Sequence, residues 1–221
     1  MKTKAKKTPT RESYSELETA YAHFNKELFQ GKLPPCLMTL VRGKRFKGYF
    51  WGDKFGHLHQ DAVWTDEIAM NPDLFKFRTV DETLSTVAHE MVHLWQHRFG
   101  KSSRNGYHNK EWARKMEAIG LMPSTTGEPG GNKTGQSVTH YIIKGAAFDL
   151  SCRRLLKTGF RITWGSKPTH APAAAGSEGE EGEGKSGKRV KYSCSTCDNA
   201  VWGKGEMNIM CGDCEEQMQG E

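Results

Sequence analysis

The sequence predicts an α+β protein, in which helices pack on a small, mostly antiparallel sheet and a small cysteine-rich unit follows. Residues 13–31 carry apolar side chains at helical spacing, and Ser13 and Glu16 match a capping box, so we predict a helix that begins at Ser13. Residues 36–72 break into short apolar runs separated by glycines, a pattern typical of strands joined by tight turns. Two C-x-x-C pairs lie near the end of the chain, after a stretch without large apolar residues.

These composition changes predict four segments within the 221 residues. Residues 1–12 are rich in lysine and threonine, and we expect a disordered basic tail. The main domain is predicted at 13–165, which is long enough to bury a hydrophobic core. A flexible Gly/Glu/Ala linker is predicted at 166–189, and the cysteine-rich unit at 190–221.

Composition also limits the compartment and the partners. No stretch approaches the roughly 18 to 20 apolar residues that a membrane span requires, so we expect no membrane contact. The basic amino terminus lacks the apolar segment of a secretory signal, and we predict a cytoplasmic protein, with nucleoid association an option. A net charge of +6 permits contact with nucleic acid, although many soluble surfaces carry a similar excess.

An apolar helical period runs through residues 84–94, and the segment has signals for its start and its end. Thr79 and Glu82 match a capping box, in which each side chain bonds the backbone N–H of the other residue. Gly100 is a typical helix stop. We therefore predict a helix from Thr79 to Gly100.

This helix carries the pattern H-E-x-x-H as His89, Glu90 and His93. Histidines four residues apart lie about one helical turn apart, so both imidazoles can face one zinc ion. Zinc lowers the pKa of a bound water to about 7, and the intervening glutamate can accept its proton. We predict His89 and His93 as ligands of a catalytic zinc and Glu90 as the general base. A surface helix with a solvated histidine pair is the simpler alternative.

A catalytic zinc needs a third protein ligand from a separate segment. His108 directly precedes Asn109, a predicted helix N-cap, and we predict it as that ligand. His97 is an alternative, but on the helix predicted at 79–100 it lies about 6 Å further along the axis than His93 and is rotated about the axis by about 40° relative to it. Glu111 is another alternative, as a ligand or as a hydrogen-bond partner of one.

Two further predictions concern the substrate. The proline in residues 66–72 favours an edge strand, and an edge near the metal could pair with an extended peptide. A protected edge without a ligand is the alternative. Tyr107, His140 and Tyr141 are candidates to stabilise an oxyanion, with core packing or solvation as the alternative for each.

The cysteine pairs at the carboxyl end match a structural zinc site, with thirteen residues between the two C-x-x-C motifs. Four thiolates would fill the coordination shell, so this second zinc is expected to support folding only. The predicted ligands of this zinc ribbon are Cys194, Cys197, Cys211 and Cys214.

The chain resembles the SprT-like zinc metalloproteases, the group that includes the DNA-dependent protease Spartan. The resemblance covers about residues 13–165 and is carried by the opening amphipathic helix, the H-E-x-x-H motif and the segment 107–112. The last cysteine pairs are similar to the zinc ribbon of many bacterial members. The resemblance implies a gluzincin-like α+β peptidase with His89, His93 and His108 on zinc and Glu90 as base.

These observations lead to a functional hypothesis. We expect a zinc-dependent endopeptidase with one catalytic and one structural Zn²⁺, which acts on protein substrates associated with DNA, such as DNA–protein crosslinks. Single- or double-stranded DNA is the expected further partner, and no motif predicts the oligomeric state. The alternative is a nucleic-acid-binding zinc-ribbon adaptor whose metalloprotease domain is weak or inactive.

Overall fold

The computed structural model describes five stretches of the chain, which are residues 8–44, 46–104, 106–167, 190–203 and 205–220. Contacts divide these residues into two units, one that ends by residue 167 and one that begins at residue 190. Residues 1–7 of the predicted tail and most of the predicted linker lie outside the described residues. Within the described residues, no helix combines the length and apolar character needed to cross a membrane.

The first helix, α1, spans Pro9–Phe29. Thr8 is its N-cap, and the Thr8 hydroxyl accepts a hydrogen bond from the backbone N–H of Arg11. The prediction that the helix begins near Ser13 was therefore wrong, and residues 9–12 of the predicted tail are helical. A capping threonine followed by a proline at the first helical position is itself a start signal, and it lies before the one at Ser13.

Three strands follow as a sheet: β1 Leu37–Leu40, β2 Gly48–Gly56 and β3 Trp64–Met70. Their order is β1-β3-β2, with β1 parallel and β2 antiparallel to β3. The predicted edge strand at residues 66–72 was therefore wrong, because β3 lies at the centre of this sheet. Pro72 falls beyond the end of β3, so its missing N–H does not interrupt the pairing.

The helix that carries the H-E-x-x-H motif, α2, spans Val80–Phe99. Its predicted capping box is confirmed: the Thr79 hydroxyl accepts from the backbone N–H of Glu82 at 3.3 Å, and the Glu82 carboxylate accepts from the N–H of Thr79 at 2.8 Å. Gly100 is the C-cap. Most of α2 is buried, so this helix lies in the middle of the domain and not on its surface.

The first unit continues with two helices and a two-stranded antiparallel sheet: α3 Lys110–Ala118, β4 Leu121–Ser124, β5 Thr139–Ile142 and α4 Ala147–Lys157. One core unites these elements with α1 and α2. Its largest fully buried side chains include Trp112, Phe24, Phe148, Ile68, Met70, Leu84 and Met91.

A hydrogen-bonded latch joins the end of α2 to the start of α3. The Gln96 amide donates to Glu111 Oε2 at 2.7 Å and to Asn109 Oδ1 at 2.8 Å. The backbone N–H of Lys101 also donates to Glu111 Oε2, at 2.7 Å. These bonds from Gln96 and Lys101 lower the pKa of Glu111. The latch therefore holds the segment that precedes α3 against α2.

The second unit contains β6 Val190–Ser193, β7 Ala200–Gly203 and β8 Gln219–Gly220, in the order β7-β6-β8. Tyr192 and Met218 pack with two cysteines as its small core. Helices and sheets thus occur together in the described chain, and the predicted α+β class is confirmed.

We predict that Thr79→Ala lowers the free energy of unfolding by about 1 kcal/mol, because the N-cap hydroxyl no longer bonds the start of α2. Urea unfolding of Thr79→Ala and wild-type protein would measure the change. Thr79→Ser keeps the hydroxyl and serves as the control, with stability close to that of wild type. Equal stability of the alanine and serine variants would contradict this role.

A second prediction concerns Glu111→Gln, which weakens the latch by replacing the acceptor carboxylate with an amide. The folded-state pKa of Glu111 is lowered from its ordinary value of 4.5. Its contribution to stability is therefore present above pH 4.5 and is lost as the pH falls through the folded-state pKa. Unfolding free energies measured from pH 7 downward should differ between variant and wild type at pH 7 and converge in acid.

Glu117→Gln is the matched control, since Glu117 forms only a surface ion pair with Lys133. A stability difference for Glu111→Gln that grows as the pH falls would contradict the assignment.

Candidate metal centre

Three histidines from two segments meet beside the middle of α2. His89 and His93 lie one turn apart on that helix, and His108 precedes α3. One side-chain nitrogen of each lies within 4.8 Å of the others, and the Nε2 atoms of His93 and His108 are 3.1 Å apart. Two nitrogens that each lie 2.0–2.1 Å from a tetrahedral zinc would be about 3.3 Å apart. The three nitrogen donors therefore fit a zinc ion, and their role as ligands stays a prediction.

The orientation of His108 is set by a loop residue that sequence reasoning did not identify. His108 and Gly135 exchange two backbone hydrogen bonds, of 2.8 and 3.0 Å. The Nδ1 atom of His108 also lies 3.2 Å from the Gly135 carbonyl oxygen. Because a carbonyl only accepts, Nδ1 carries the proton and Nε2 keeps its lone pair. Nε2 is the atom that faces His93.

Trp112 forms the apolar wall behind the three rings. Its ring centroid lies 4.8 Å from that of His89, 5.2 Å from His93 and 4.3 Å from His108. Trp112 is fully buried, so it excludes water from this side of the cluster and restricts the rotation of the imidazoles. Its position four residues after His108 on the predicted helix was a signal for this contact that sequence analysis did not use.

The two alternative third ligands lie elsewhere. His97 groups with Asp53 and Asp66 and not with the histidine cluster. Its Nε2 is 2.9 Å from Asp53 Oδ2. Glu111 is held by the latch at the end of α2. Neither side chain therefore belongs to the cluster of three imidazoles.

Glu90 lies on α2 between the two helical histidines and is buried. It precedes His93 by three residues, so the two side chains project from the same side of the helix. This is the placement that a base beside a metal-bound water requires. Its catalytic role stays a prediction.

The three oxyanion candidates fall in different environments. Tyr107 lines a cavity of about 190 Å³ that His93 also borders. His140 is buried behind His89, with their Nδ1 atoms 3.1 Å apart, so it faces a predicted ligand and not the cavity. Tyr141 pairs with Met122 in the β4–β5 sheet. Of the three, only Tyr107 borders the cavity beside the cluster.

An ionic network surrounds His97, which also lines this cavity. Arg98 donates to Asp66 at 2.6 and 2.8 Å and to Asp53 at 2.8 Å. The hydrogen bond from His97, together with Arg98, lowers the pKa of Asp53. Since the guanidinium bonds both carboxylates, this group of acidic residues is an ion-pair network and a poor candidate for a further metal site. It ties α2 to strands β2 and β3.

The second unit brings together the four cysteines of the predicted ribbon. Their sulfur atoms lie within 4.8 Å of one another, and those of Cys197 and Cys211 are 3.5 Å apart. A disulfide would need about 2.05 Å, whereas thiolates on one tetrahedral zinc are about 3.8 Å apart. The Cys194 and Cys211 backbone N–H groups each close a tight turn, to Asn199 and Glu216. The donor set fits a structural zinc.

The cysteine thiols of the chain differ in their pKa. Hydrogen bonds from the backbones of Asp213 and Cys214 lower the pKa of Cys211 to about 7. Burial instead raises the pKa of Cys36 and of Cys152 to about 12. Hydrogen bonding with Cys197 raises the pKa of Cys214, another predicted ligand, to about 12, so of these two ribbon thiols Cys211 is the one that ionises near neutral pH. The two solitary thiols remain protonated there.

Two comparisons with known proteins bear on the first unit. The SprT-like family model matches residues 17–139, which is more than half of the chain and includes all three histidines of the cluster. A 41-residue segment is 58% identical to an uncharacterized protein in the mucB 3′ region of Salmonella typhimurium. That segment is 19% of this chain and 55% of the relative, so the chain spans about half the length of that curated protein. The chain belongs to the SprT-like family.

Proposed function

We propose that this protein is a zinc-dependent endopeptidase that cleaves proteins associated with DNA. The observation that carries the proposal is the convergence of three imidazole nitrogens within 4.8 Å, beside the buried Glu90. Membership of the SprT-like family supports a metalloprotease-type domain. The substrate class and the mechanism are the further steps that we propose.

His89, His93 and His108 would hold the zinc and leave one coordination position for water or substrate. Zinc in that site would supply a Lewis acid that polarises a carbonyl and lowers the pKa of water. Glu90 accepts the proton of the attacking water and passes it to the leaving amine. Trp112 keeps the rear of the site dry, so these charge interactions act in a low-dielectric environment.

The substrate is expected to lie along β2. This strand is one edge of the three-stranded sheet, and Phe50 and Gly52 from it line the cavity beside His93. An extended peptide can pair with such an edge through backbone hydrogen bonds, which makes binding largely independent of sequence. Tyr107 borders the same cavity and is the candidate to stabilise the oxyanion.

Support for DNA as a partner comes from exposed aromatic residues beside lysines. Trp202 of the ribbon is 64% exposed, and Lys191 is its register partner on β6. On β2, the Lys54 ammonium lies 3.6 Å from the ring centroid of the exposed Trp51. Aromatic faces stack on bases and lysines contact phosphates, the combination used to bind single strands. The exposed Trp202 also favours the alternative of a nucleic-acid adaptor.

We expect Glu90→Gln to lower cleavage by about 10²- to 10⁴-fold, because the amide cannot accept the proton. The assay incubates the full chain with a DNA-binding protein in the presence of single-stranded DNA, double-stranded DNA or no DNA. Faster cleavage with DNA would support the proposed substrate class. Glu117→Gln is the matched control and should retain activity. Unchanged cleavage by Glu90→Gln would remove this residue from the mechanism.

Zinc content should separate the two sites. We expect two zinc ions per wild-type chain, and one each in His108→Ala and in Cys214→Ser, since each variant removes a ligand from a different site. Elemental analysis of the purified proteins measures the count. Glu90→Gln should retain both ions. Two zinc ions in His108→Ala would contradict His108 as the third ligand. This result would favour the alternative function, a nucleic-acid-binding adaptor.

A further inference from the structure

A fourth histidine, which is buried, is hydrogen-bonded to the histidine cluster from behind. His140 lies on β5, and its Nδ1 atom is 3.1 Å from Nδ1 of His89. Its Nε2 atom is 2.8 Å from the hydroxyl of Ser85, which in turn donates to the backbone carbonyl of Glu82 at 2.8 Å. A continuous chain of hydrogen bonds thus leads from the first turn of α2 through β5 to a predicted metal ligand.

The donor and the acceptor of each hydrogen bond follow from the backbone carbonyl of Glu82, at which this chain of bonds ends. A backbone carbonyl only accepts, so the single hydroxyl hydrogen of Ser85 points to Glu82. The Ser85 oxygen must then accept from Nε2–H of His140. A neutral imidazole has one N–H, so Nδ1 of His140 accepts and Nδ1–H of His89 donates to it. The lone pair of His89 is consequently on Nε2, where a metal can use it.

We propose that His140 is a positioning residue for the metal, which fixes the tautomer and the ring angle of His89. The inference rests on the zinc site of the proposed function. It assigns to His140 the role that the Gly135 carbonyl has for His108. Hydrogen-bond partners of this kind orient the ligands of a metal and raise its affinity.

The surroundings of His140 make it a rigid support. It is paired in register with Pro123 in the β4–β5 sheet, and the hydroxyl of the preceding residue, Thr139, accepts from Lys47 Nζ at 2.8 Å. An acceptor on a paired strand holds its partner more accurately than one on a loop. An uncharged acceptor also leaves the positive charge of the metal undiminished, unlike a carboxylate in this position. That charge is what polarises a substrate carbonyl.

The test compares His140→Leu with His140→Asn in the full chain. Leucine has no acceptor, whereas the Oδ1 atom of asparagine can occupy the place of Nδ1. Cobalt is used as the probe, because cobalt bound by thiolates absorbs strongly in the near ultraviolet and cobalt bound by imidazoles does not. The two sites can therefore be followed separately, and the ribbon is an internal reference. Competition with a chelator then gives the affinity of the histidine site.

We expect His140→Leu to weaken metal binding at the histidine site by about 10- to 100-fold, and His140→Asn to bind nearly as tightly as wild type. His23→Leu is the matched control. His23 also contacts a serine, since its Nε2 is 3.0 Å from Ser151 Oγ, but it lies on α1. This variant loses a comparable histidine–serine contact and should retain wild-type affinity.

Four results would overturn the proposal. His140→Leu could bind cobalt as tightly as wild type, or His140→Asn could bind as weakly as His140→Leu, which would leave only a packing role. If His140→Leu does not fold, Ser85→Ala is the deciding variant. Loss of the Ser85 hydroxyl should weaken cobalt binding at the histidine site, and an unchanged affinity would contradict the assigned bond directions. Wild-type protein that takes up no cobalt at the histidines would instead refute the zinc site itself, and this inference with it.

Discussion

Three imidazole rings can share one ion only if each presents its lone pair to the same point, and this constraint organises the first unit. The two helical histidines satisfy it through the geometry of α2, where four residues make about one turn. His108 satisfies it because Gly135 takes up its other nitrogen. Trp112 then closes the rear of the cluster and is the contact that all three rings share.

The C-terminal half of α2 is held by charge as well as by apolar contacts. Arg98 bridges two carboxylates, one on β2 and the buried Asp66 on β3, while the latch from Gln96 holds the start of α3. A buried carboxylate without its cation would be costly, so the helix and sheet are locked in one register. This network also uses His97, the alternative third ligand one turn beyond His93 on α2. His97 is hydrogen-bonded to the Asp53 carboxylate and lies apart from the cluster of three histidines.

Local signals in the sequence predicted much of this arrangement. The capping box of α2 and the N-cap of α3 each depend on a few neighbouring residues, and these two predictions agree with the structure. The error at β3 has a different cause. Residues 37–40 pair with it in parallel across a gap of about thirty residues, which no local pattern reveals. The link between His89 and His140 likewise joins residues 51 positions apart, so spacing alone predicts candidate ligands but not the residues that orient them.

The polar groups around the cluster also explain why metal binding and folding should be coupled in this domain. His89, His108, Ser85 and Glu90 are buried, and burying polar groups is costly unless each is hydrogen-bonded or bound to a cation. The protein satisfies the outer nitrogens of two rings with its own acceptors, which leaves the inner nitrogens to the ion. A cation that binds there stabilises the folded state alone, because the unfolded chain does not bring these residues together. If the cluster binds its predicted ion, the same hydrogen bonds that orient the three histidines would therefore also couple metal binding to folding.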